Sequence, residues 1–254
     1  MTENPKIFSR YINSIARVCA FASLIFLLSQ VVHGIQARAG EVDAMIVFAV
    51  DVSSSIDPAT ANLQREGHAA ALHSPEILAA IARNRIGCIA ITYFEWSSPG
   101  HLRSIVPWRT ICGSRDAKVV AAAITTKGST GFGRSSGRGT SVSYATDMGS
   151  LFLDEYQGTA PRKIIDISAN GSNNDGLPVE QSRAKAISKG YTINAIAIPS
   201  KIPGDERDIA DYFAMNVIGG LGSFVISPMG KADYASALSR KLVVEIGMAA
   251  FSRR

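Results

Sequence analysis

The sequence contains few of the side chains that bind transition metals. Its 254 residues include only three cysteines and four histidines, and no Cys-x-x-Cys pair occurs. The two closest histidines, His68 and His73, are five residues apart, whereas a zinc-binding helix presents two histidines four residues apart on one face. A zinc site built from cysteine and histidine ligands therefore has no support in the sequence.

An excess of charge of one sign is also missing from most of the chain. The whole sequence has 26 Lys and Arg against 21 Asp and Glu. Residues 1–39 contain four of these basic residues and one of the acidic ones, so 22 basic and 20 acidic residues remain in the rest of the chain. Because this remainder is nearly neutral and its basic residues are not clustered, nucleic-acid binding has little support.

Long apolar runs are scarce, and the longest lies near the start of the chain. Val18 to Val32 contains no charge over 15 residues, with basic residues before it and the small-residue site Ala37-Arg38-Ala39 after it. This order predicts a signal peptide over residues 1–39. A membrane-spanning helix needs about 20 residues, so a retained anchor is the less favoured alternative. We expect a periplasmic or secreted protein with one domain over 40–254 and no membrane insertion.

The rest of the chain alternates between strand-like and helix-like segments. Ala44 to Val50 is a continuous apolar run, typical of a central strand that is buried on both faces of a parallel sheet. The strands predicted at 85–94 and 102–108 are joined by a short turn, which indicates an antiparallel hairpin at a sheet edge, where Pro107 is tolerated. The other predicted strands are 163–168, 192–198 and 223–226, and the predicted helices are 58–73, 74–82, 114–126, 140–153, 179–189, 209–216 and 234–247.

This alternation predicts the fold class. Strands and helices in turn indicate a doubly wound α/β domain with a mostly parallel sheet, one antiparallel edge strand and helices on both faces. Ligands of such sheets bind beyond the carboxyl ends of the strands. The loops that leave those ends are therefore the first place to look for a functional site.

Oxygen-bearing side chains follow the predicted strands in three loops. Asp51, Ser53 and Ser55 come directly after the first strand, Thr140 opens a later helix, and Asn170 follows the strand 163–168. Hydroxyl, carboxylate and amide oxygens suit a hard cation such as Mg²⁺ or Mn²⁺. Asp and Ser before a helix are also ordinary helix caps, so the pattern needs its structural context.

The pattern resembles a known family. Asp-x-Ser-x-Ser after a buried strand, a threonine at a later helix start and a strand-end turn before glycine resemble the metal-ion-dependent adhesion site of von Willebrand factor type A domains. Residues 43–248 resemble that family, and more narrowly an exported bacterial group known only as a domain of unknown function. The segments that carry the closer match are Leu63-Gln64-Arg65-Glu66-Gly67, Thr92-Tyr93-Phe94-Glu95-Trp96, Val106-Pro107-Trp108, Ile165-Asp166-Ile167-Ser168, Asn173-Asn174, Val217-Ile218-Gly219-Gly220 and Arg240-Lys241-Leu242-Val243-Val244-Glu245-Ile246.

The resemblance implies a role for each site residue. Asp51 would contact the metal through water or act as its charge anchor, Ser53 and Ser55 would be direct ligands, and Thr140 would ligate in the ligand-bound state. The aspartate of the family's third loop falls on Asn170, whose amide keeps an acceptor oxygen but has no charge. We therefore expect weaker metal affinity, or a site that is occupied only with a partner.

The resemblance also implies what kind of partner binds. A type A domain of this kind is a protein-binding module that engages an Asp or Glu of its partner through the metal. Arg134 and Arg138 in the glycine-rich loop 128–139 would lie at the rim of the site and favour an acidic partner. Asp175 is close enough in sequence to the third loop to reach the same rim.

Two other functions and one covalent bond stay open. Gly133 to Gly137 matches Gly-x-Ser-x-Gly, which makes an exported hydrolase using Ser135 or a metal-bound water an alternative, although a nucleophile elbow needs a strand before it and a helix directly after. A metal-free scaffold is another alternative, because Asn170 removes a charge. Cys88 and Cys112 can pair in an oxidising compartment, and Cys88 is equally well explained as a small buried apolar residue.

Overall fold

The computed structural model describes residues 40–128, 139–199 and 208–247. Within these ranges lie six strands and seven α-helices. The strands are β1 Ala44–Asp51, β2 Ile89–Trp96, β3 Leu102–Ile111, β4 Lys163–Ala169, β5 Thr192–Ala197 and β6 Val225–Ile226. The helices are α1 Pro58–Leu72, α2 Pro75–Ala82, α3 Ser114–Gly128, α4 Val142–Glu155, α5 Val179–Ser188, α6 Ile209–Asn216 and α7 Tyr234–Gly247.

The strands form one sheet in the order β3-β2-β1-β4-β5-β6. Only β2 and β3 pair in antiparallel fashion, and every other neighbouring pair is parallel. All eight residues of β1 are buried, as a strand in the interior of a two-faced sheet requires. The predicted mostly parallel sheet with one antiparallel edge strand is therefore confirmed.

Helices cover both faces of the sheet. One apolar core lies between the sheet and α1, α2, α3 and α7, and a second lies between the sheet and α4, α5 and α6. Residues of one strand alternate between these cores because successive side chains point to opposite faces. In β4, Ile164 belongs to the first core, whereas Ile165 and Ile167 belong to the second. The predicted helices on both faces are thus confirmed.

A disulfide closes the open end of the β2–β3 hairpin. Cys88 immediately precedes β2, Cys112 immediately follows β3, and the two are bonded with their Cα atoms 4.2 Å apart. Ile89 and Ile111, the adjacent residues, are register partners in the hairpin. The antiparallel pairing brings the two cysteines together, and of the two interpretations of Cys88 the paired one holds in the structure.

The strand β2 begins later than predicted. The sequence pattern favoured a start at residue 85, whereas the strand begins at Ile89. The Asp43 carboxylate accepts the backbone N–H groups of Ile86, Gly87 and Cys88 at 3.0, 2.8 and 3.2 Å. Gly87 adopts a φ of 75° in this turn, a conformation that glycine tolerates. These backbone groups are bound to a side chain instead of a neighbouring strand, which delays the start of β2.

The start of α4, near the predicted site, also differs from the prediction. Thr140 was expected to open a helix, but α4 begins at Val142. Ser141 is the N-cap, and its hydroxyl accepts the backbone N–H of Tyr144 at 3.3 Å. Thr140 therefore lies in the loop that precedes the helix.

No helix in the described ranges is long and apolar enough to cross a membrane. The predicted signal peptide at 1–39 lies outside the described residues, as does most of the glycine-rich loop. The signal peptide and the domain boundary at residue 40 therefore stay predictions.

Candidate functional site

The site lies at the carboxyl edge of two neighbouring strands. β1 and β4 are parallel, with Val50 opposite Ser168 in the register, so both strands end at the same edge of the sheet. Asp51 is the last residue of β1, and Asn170 directly follows β4. The loops that leave these strands consequently start side by side, although they are more than a hundred residues apart in sequence.

Asp51 is a fully buried carboxylate with one oxygen unused. Its Oδ1 accepts the backbone N–H of Ser53 at 2.7 Å, and its Oδ2 has no hydrogen-bond partner in the described part of the chain. Burial raises the pKa of Asp51 to about 6, partly countered by the backbone N–H and hydroxyl of Ser53 and the backbone N–H of Asn170. Burying an ionised carboxylate costs free energy unless a positively charged group binds it, and this oxygen has no such group among the described residues.

The other four predicted residues form one continuous chain of hydrogen bonds. Thr140 Oγ1 donates to Ser53 Oγ at 3.0 Å, Ser53 Oγ lies 3.1 Å from Ser55 Oγ, and Ser55 Oγ donates to Asn170 Oδ1 at 2.8 Å. The structure thus brings together all five predicted residues, with Asp51 holding the backbone of Ser53.

Asn170 binds the first loop through both ends of its amide. Its Oδ1 accepts the hydroxyl of Ser55, and its Nδ2 donates to the backbone carbonyl of Ser55 at 3.1 Å. An aspartate at this position has no amide N–H and could not make the second bond. Asn170 therefore both keeps the Ser55 loop in place and lowers the negative charge of the site.

The donor set fits a small divalent cation. Mg²⁺ binds oxygens at about 2.1 Å in nearly octahedral geometry, which places adjacent oxygens about 3.0 Å apart. The Thr140–Ser53 and Ser53–Ser55 oxygen separations are 3.0 and 3.1 Å. The described residues contain no group of three or more His, Cys, Asp or Glu that could hold a metal. An ion at this edge would accordingly depend on hydroxyl and amide oxygens together with Asp51.

Two asparagines that had no predicted role hold Thr140 and the start of α4 in place. Asn174 Oδ1 accepts the backbone N–H of Thr140 at 2.8 Å, and the backbone N–H of Asn174 donates to the Thr140 carbonyl at 2.9 Å. Asn173 Oδ1 accepts the backbone N–H of Ser143 at 2.9 Å. The sequence marks this Asn-Asn pair only through the family resemblance, and no spacing rule connects it to Thr140.

Gln64 is a third residue without a predicted role. This buried side chain of α1 donates from Nε2 to the Asp51 carbonyl at 2.9 Å and accepts the Ser168 hydroxyl at Oε1 at 2.7 Å. The Ser168 hydroxyl also lies 3.0 Å from the hydroxyl of Tyr234, the first residue of α7. Gln64 therefore fixes the backbone from which the Asp51 side chain extends.

Of the predicted rim residues, only Asp175 lies in the described part of the chain. Its side chain packs against Gly139, where an added Cβ would be 2.6 Å from Asp175 Oδ2, so this carboxylate lies beside the residue that precedes Thr140. Its Oδ1 accepts the backbone N–H of Gly176 at 2.8 Å. Arg134, Arg138 and Ser135 lie outside the described residues.

Most of the chain matches one sequence family. Residues 41–250 match the family described as "Protein of unknown function (DUF1194)". No curated protein matches the chain.

Three solved structures share the fold at low sequence identity. Proximal thread matrix protein 1 from the mussel byssus is 16% identical, with a TM-score of 0.56 over 80% of this chain and 47% of that chain. A further structure of that mussel protein has a zinc-occupied MIDAS motif, the metal-ion-dependent adhesion site. The pilus adhesin SpaC from Lactobacillus rhamnosus GG is 14% identical, with a TM-score of 0.58 over 85% of this chain and 32% of that chain.

The third structure is a separate domain of similar size. The von Willebrand factor domain of the type V pili tip protein Mfa5 from Porphyromonas gingivalis is 10% identical, with a TM-score of 0.54 over 82% of this chain and 96% of that chain. By contrast, this chain spans less than half of the mussel protein and of SpaC. These likenesses concern the fold. The chain belongs to the DUF1194 family, and its fold is that of a von Willebrand factor type A domain.

Proposed function

We propose that this protein is a metal-dependent, adhesion-type protein-binding module. Its ion would be Mg²⁺ or Mn²⁺, and its partner a protein that presents an Asp or Glu side chain. One observation carries the proposal: four polar side chains from three loops form an unbroken hydrogen-bonded chain beside the unused, buried oxygen of Asp51. The ligands would be Asp51, Ser53, Ser55, Thr140 and Asn170.

The chemistry of these residues favours binding over catalysis. A bound divalent ion would supply positive charge and a coordination position for a carboxylate of the partner. The three hydroxyls and the amide are neutral, so they orient the ion without cancelling its charge. Catalysis needs a positioned general base, and no histidine belongs to the hydrogen-bonded chain in the described residues.

The surroundings of the site support an exported binding protein. The Cys88–Cys112 disulfide is of a kind that persists in oxidising compartments, which agrees with a signal peptide at 1–39 and a periplasmic or secreted location. Arg134, Arg138 and Asp175 are proposed to border the site and to contact the partner. Two of the proteins with a similar fold are a pilus adhesin and a pilus tip protein, and adhesion is the function we extend to this chain.

A thermal unfolding experiment tests the proposal. We expect Mg²⁺ or Mn²⁺, supplied with sodium acetate as a stand-in for the partner's carboxylate, to raise the Tm of the purified protein relative to EDTA. Asp51→Ala should abolish the rise, because it removes the charged ligand. Asp211→Ala, which removes an exposed carboxylate from α6, is the matched control and should keep the rise. A wild-type Tm that is the same with and without metal and acetate would instead support the metal-free scaffold.

A further inference from the structure

A buried lysine lies between two carboxylates beneath α7. Lys241 Nζ is 2.5 Å from Asp166 Oδ1 in β4 and 2.5 Å from Glu245 Oε1, which lies one helical turn further along α7. No more than 1% of any of these three side chains is exposed. The ring of Phe224 lies beside the ammonium, with its centroid 5.7 Å from Nζ. The fold therefore places an amine, a carboxyl carbon and a second carboxylate in contact, away from solvent.

We propose that Lys241 and Asp166 condense to an intramolecular amide, an isopeptide bond that joins α7 covalently to β4, with Glu245 as the proton-transfer group. This modification goes beyond the proposed function and does not depend on it. A bond forms between Lys241 Nζ and Asp166 Cγ, the bond from Cγ to one carboxyl oxygen breaks, and that oxygen leaves as water. The ammonium and the carboxylate supply every atom of the amide and of the water, so no other reactant is needed.

Asp166 is the carboxyl group that Lys241 attacks. No described group donates a hydrogen bond of ordinary geometry to either Asp166 oxygen, although Lys241 Nζ is close to Oδ1. Burial raises the pKa of Asp166, and Lys241 counters this effect only in part. A carboxylate that lacks hydrogen-bond donors is readily protonated. Its protonated form is the better electrophile, because the negative charge of a carboxylate repels an incoming amine.

Glu245 is positioned to accept the lysine proton and to pass it to the leaving oxygen. Its Oε1 accepts hydrogen bonds from Lys241 Nζ at 2.5 Å and from Asn194 Nδ2 at 2.6 Å. Burial, and then the charge of Asp166, raise the pKa of Glu245 to about 7. A pKa near the working pH suits a group that must gain and lose a proton during one reaction.

The charges that remain after condensation are still compensated. The reaction removes one positive and one negative charge, and Glu245 keeps its hydrogen bond from Asn194. Arg162 Nη1 donates to the backbone carbonyl of Glu245 at 2.7 Å, so a guanidinium stays near the remaining carboxylate. A buried ion pair carries a desolvation cost, which a neutral amide avoids. Contact between the reacting groups also favours the bond, since well-oriented groups reach effective concentrations on the order of 10⁵–10⁸ M.

Mass spectrometry of the purified protein, unfolded and with its disulfide reduced, tests the bond. The wild type should be lighter than the sum of its residues by one water molecule. Trypsin cleaves after lysine and arginine but not after an acylated lysine, so peptides 164–183 and 241–253 should appear as one linked species. The ion-paired and linked forms differ in mass, so the fraction of each can be measured in one sample.

Three variants separate the roles of the residues. Lys241→Arg keeps the positive charge but has no amine that can form the amide, so it should retain its full mass. Glu245→Gln keeps both reacting groups but cannot accept the proton, and should form the link on the order of 100-fold more slowly. Lys189→Arg is the matched control: Lys189 pairs with Asp154 at 2.6 Å on the surface, and its replacement should leave the linked species unchanged.

The wild-type peptides decide the proposal even if a variant does not fold. Separate peptides 164–183 and 241–253 after prolonged incubation of the folded protein would overturn it. A linked species formed with loss of ammonia would place the bond on an asparagine such as Asn194. A loss of water confined to peptide 241–253 would join Lys241 to Glu245. Either of these two results would overturn the assignment of Asp166.

Discussion

Two buried acidic sites in this fold differ in how their negative charge is compensated. Beneath α7, Lys241 Nζ lies 2.5 Å from Asp166 Oδ1 and 2.5 Å from Glu245 Oε1, and all three side chains are buried. At the carboxyl edge of the sheet, Asp51 is just as buried but forms no ion pair with a described Lys or Arg. The first site contains its own cation, whereas no Lys or Arg of the described residues forms an ion pair with Asp51.

The difference shows what each site can do. Lys241 is part of the chain and pairs with both Asp166 and Glu245, so this cluster holds α7 against β4. Among the residues that the structure describes, none donates a hydrogen bond to Asp51 Oδ2, and this oxygen is the one that an external cation could contact. The same physical requirement, a counter-charge for a buried carboxylate, yields structure in one place and a candidate binding site in the other.

The largest expected effect comes from removing the internal cation. Lys241→Met leaves two buried carboxylates without their partner and should lower the free energy of unfolding by about 3–5 kcal/mol, the usual result of breaking a buried ion pair. Chemical denaturation of the metal-free protein measures this. The triple variant Lys241→Met, Asp166→Asn, Glu245→Gln should recover much of the loss. A Lys241→Met protein of unchanged stability would mean that the cluster is not charged as described.

A smaller effect, an increase in the free energy of unfolding, is expected at the Asp51 site. Asp51→Asn removes a buried charge that has no ion-pair partner among the described residues, while the amide oxygen can still accept the backbone N–H of Ser53. In EDTA at pH 8 the variant should be more stable than the wild type by about 1–3 kcal/mol. A loss of stability in EDTA would show that the Asp51 charge is already compensated, and the contrast between the two sites would then collapse.

The smallest effect concerns His68, a buried residue of α1. Burial lowers its pKa to about 4, and its ring packs edge-on against Phe48 and Tyr93. The unfolded chain binds the histidine proton near pH 6.5 and the folded protein does not, so His68 destabilises the fold as pH falls from about 6.5 to 4. Relative to wild type, His68→Phe should lose about 1 kcal/mol less on going from pH 7.5 to 5.5. Parallel denaturation curves at the two pH values test this.

Glu245 changes the stability of the fold in the opposite direction over the same pH range. Burial, and then the charge of Asp166, raise its pKa to about 7. The folded protein therefore binds this proton at a higher pH than the unfolded chain does. The contribution of Glu245 to stability is favourable at low pH and is lost as pH rises through about 7. The comparison of His68→Phe with wild type isolates the histidine, because Glu245 is present in both proteins.

Much of the site could be predicted because its signals are local. An apolar run that ends in Asp51 indicates a buried strand, and Ser53 and Ser55 follow it at alternate positions. The strands and helices were predicted to within a few residues for the same reason, since periodicity and caps act over short segments. The predicted start of β2 was wrong because Asp43, more than forty residues away, binds the backbone N–H groups of residues 86–88.

The sequence alone determined the layered α/β architecture and the oxygen-rich loops at the ends of its strands, since both follow from patterns a few residues long. Only the tertiary structure decided that Asn170 binds Ser55, that Gln64 supports Asp51, and that Lys241 pairs with two acids. These contacts join residues from 13 to 115 positions apart, except for the pairing of Lys241 with Glu245 one helical turn away. Such contacts depend on how helices pack against the sheet, which no local pattern specifies.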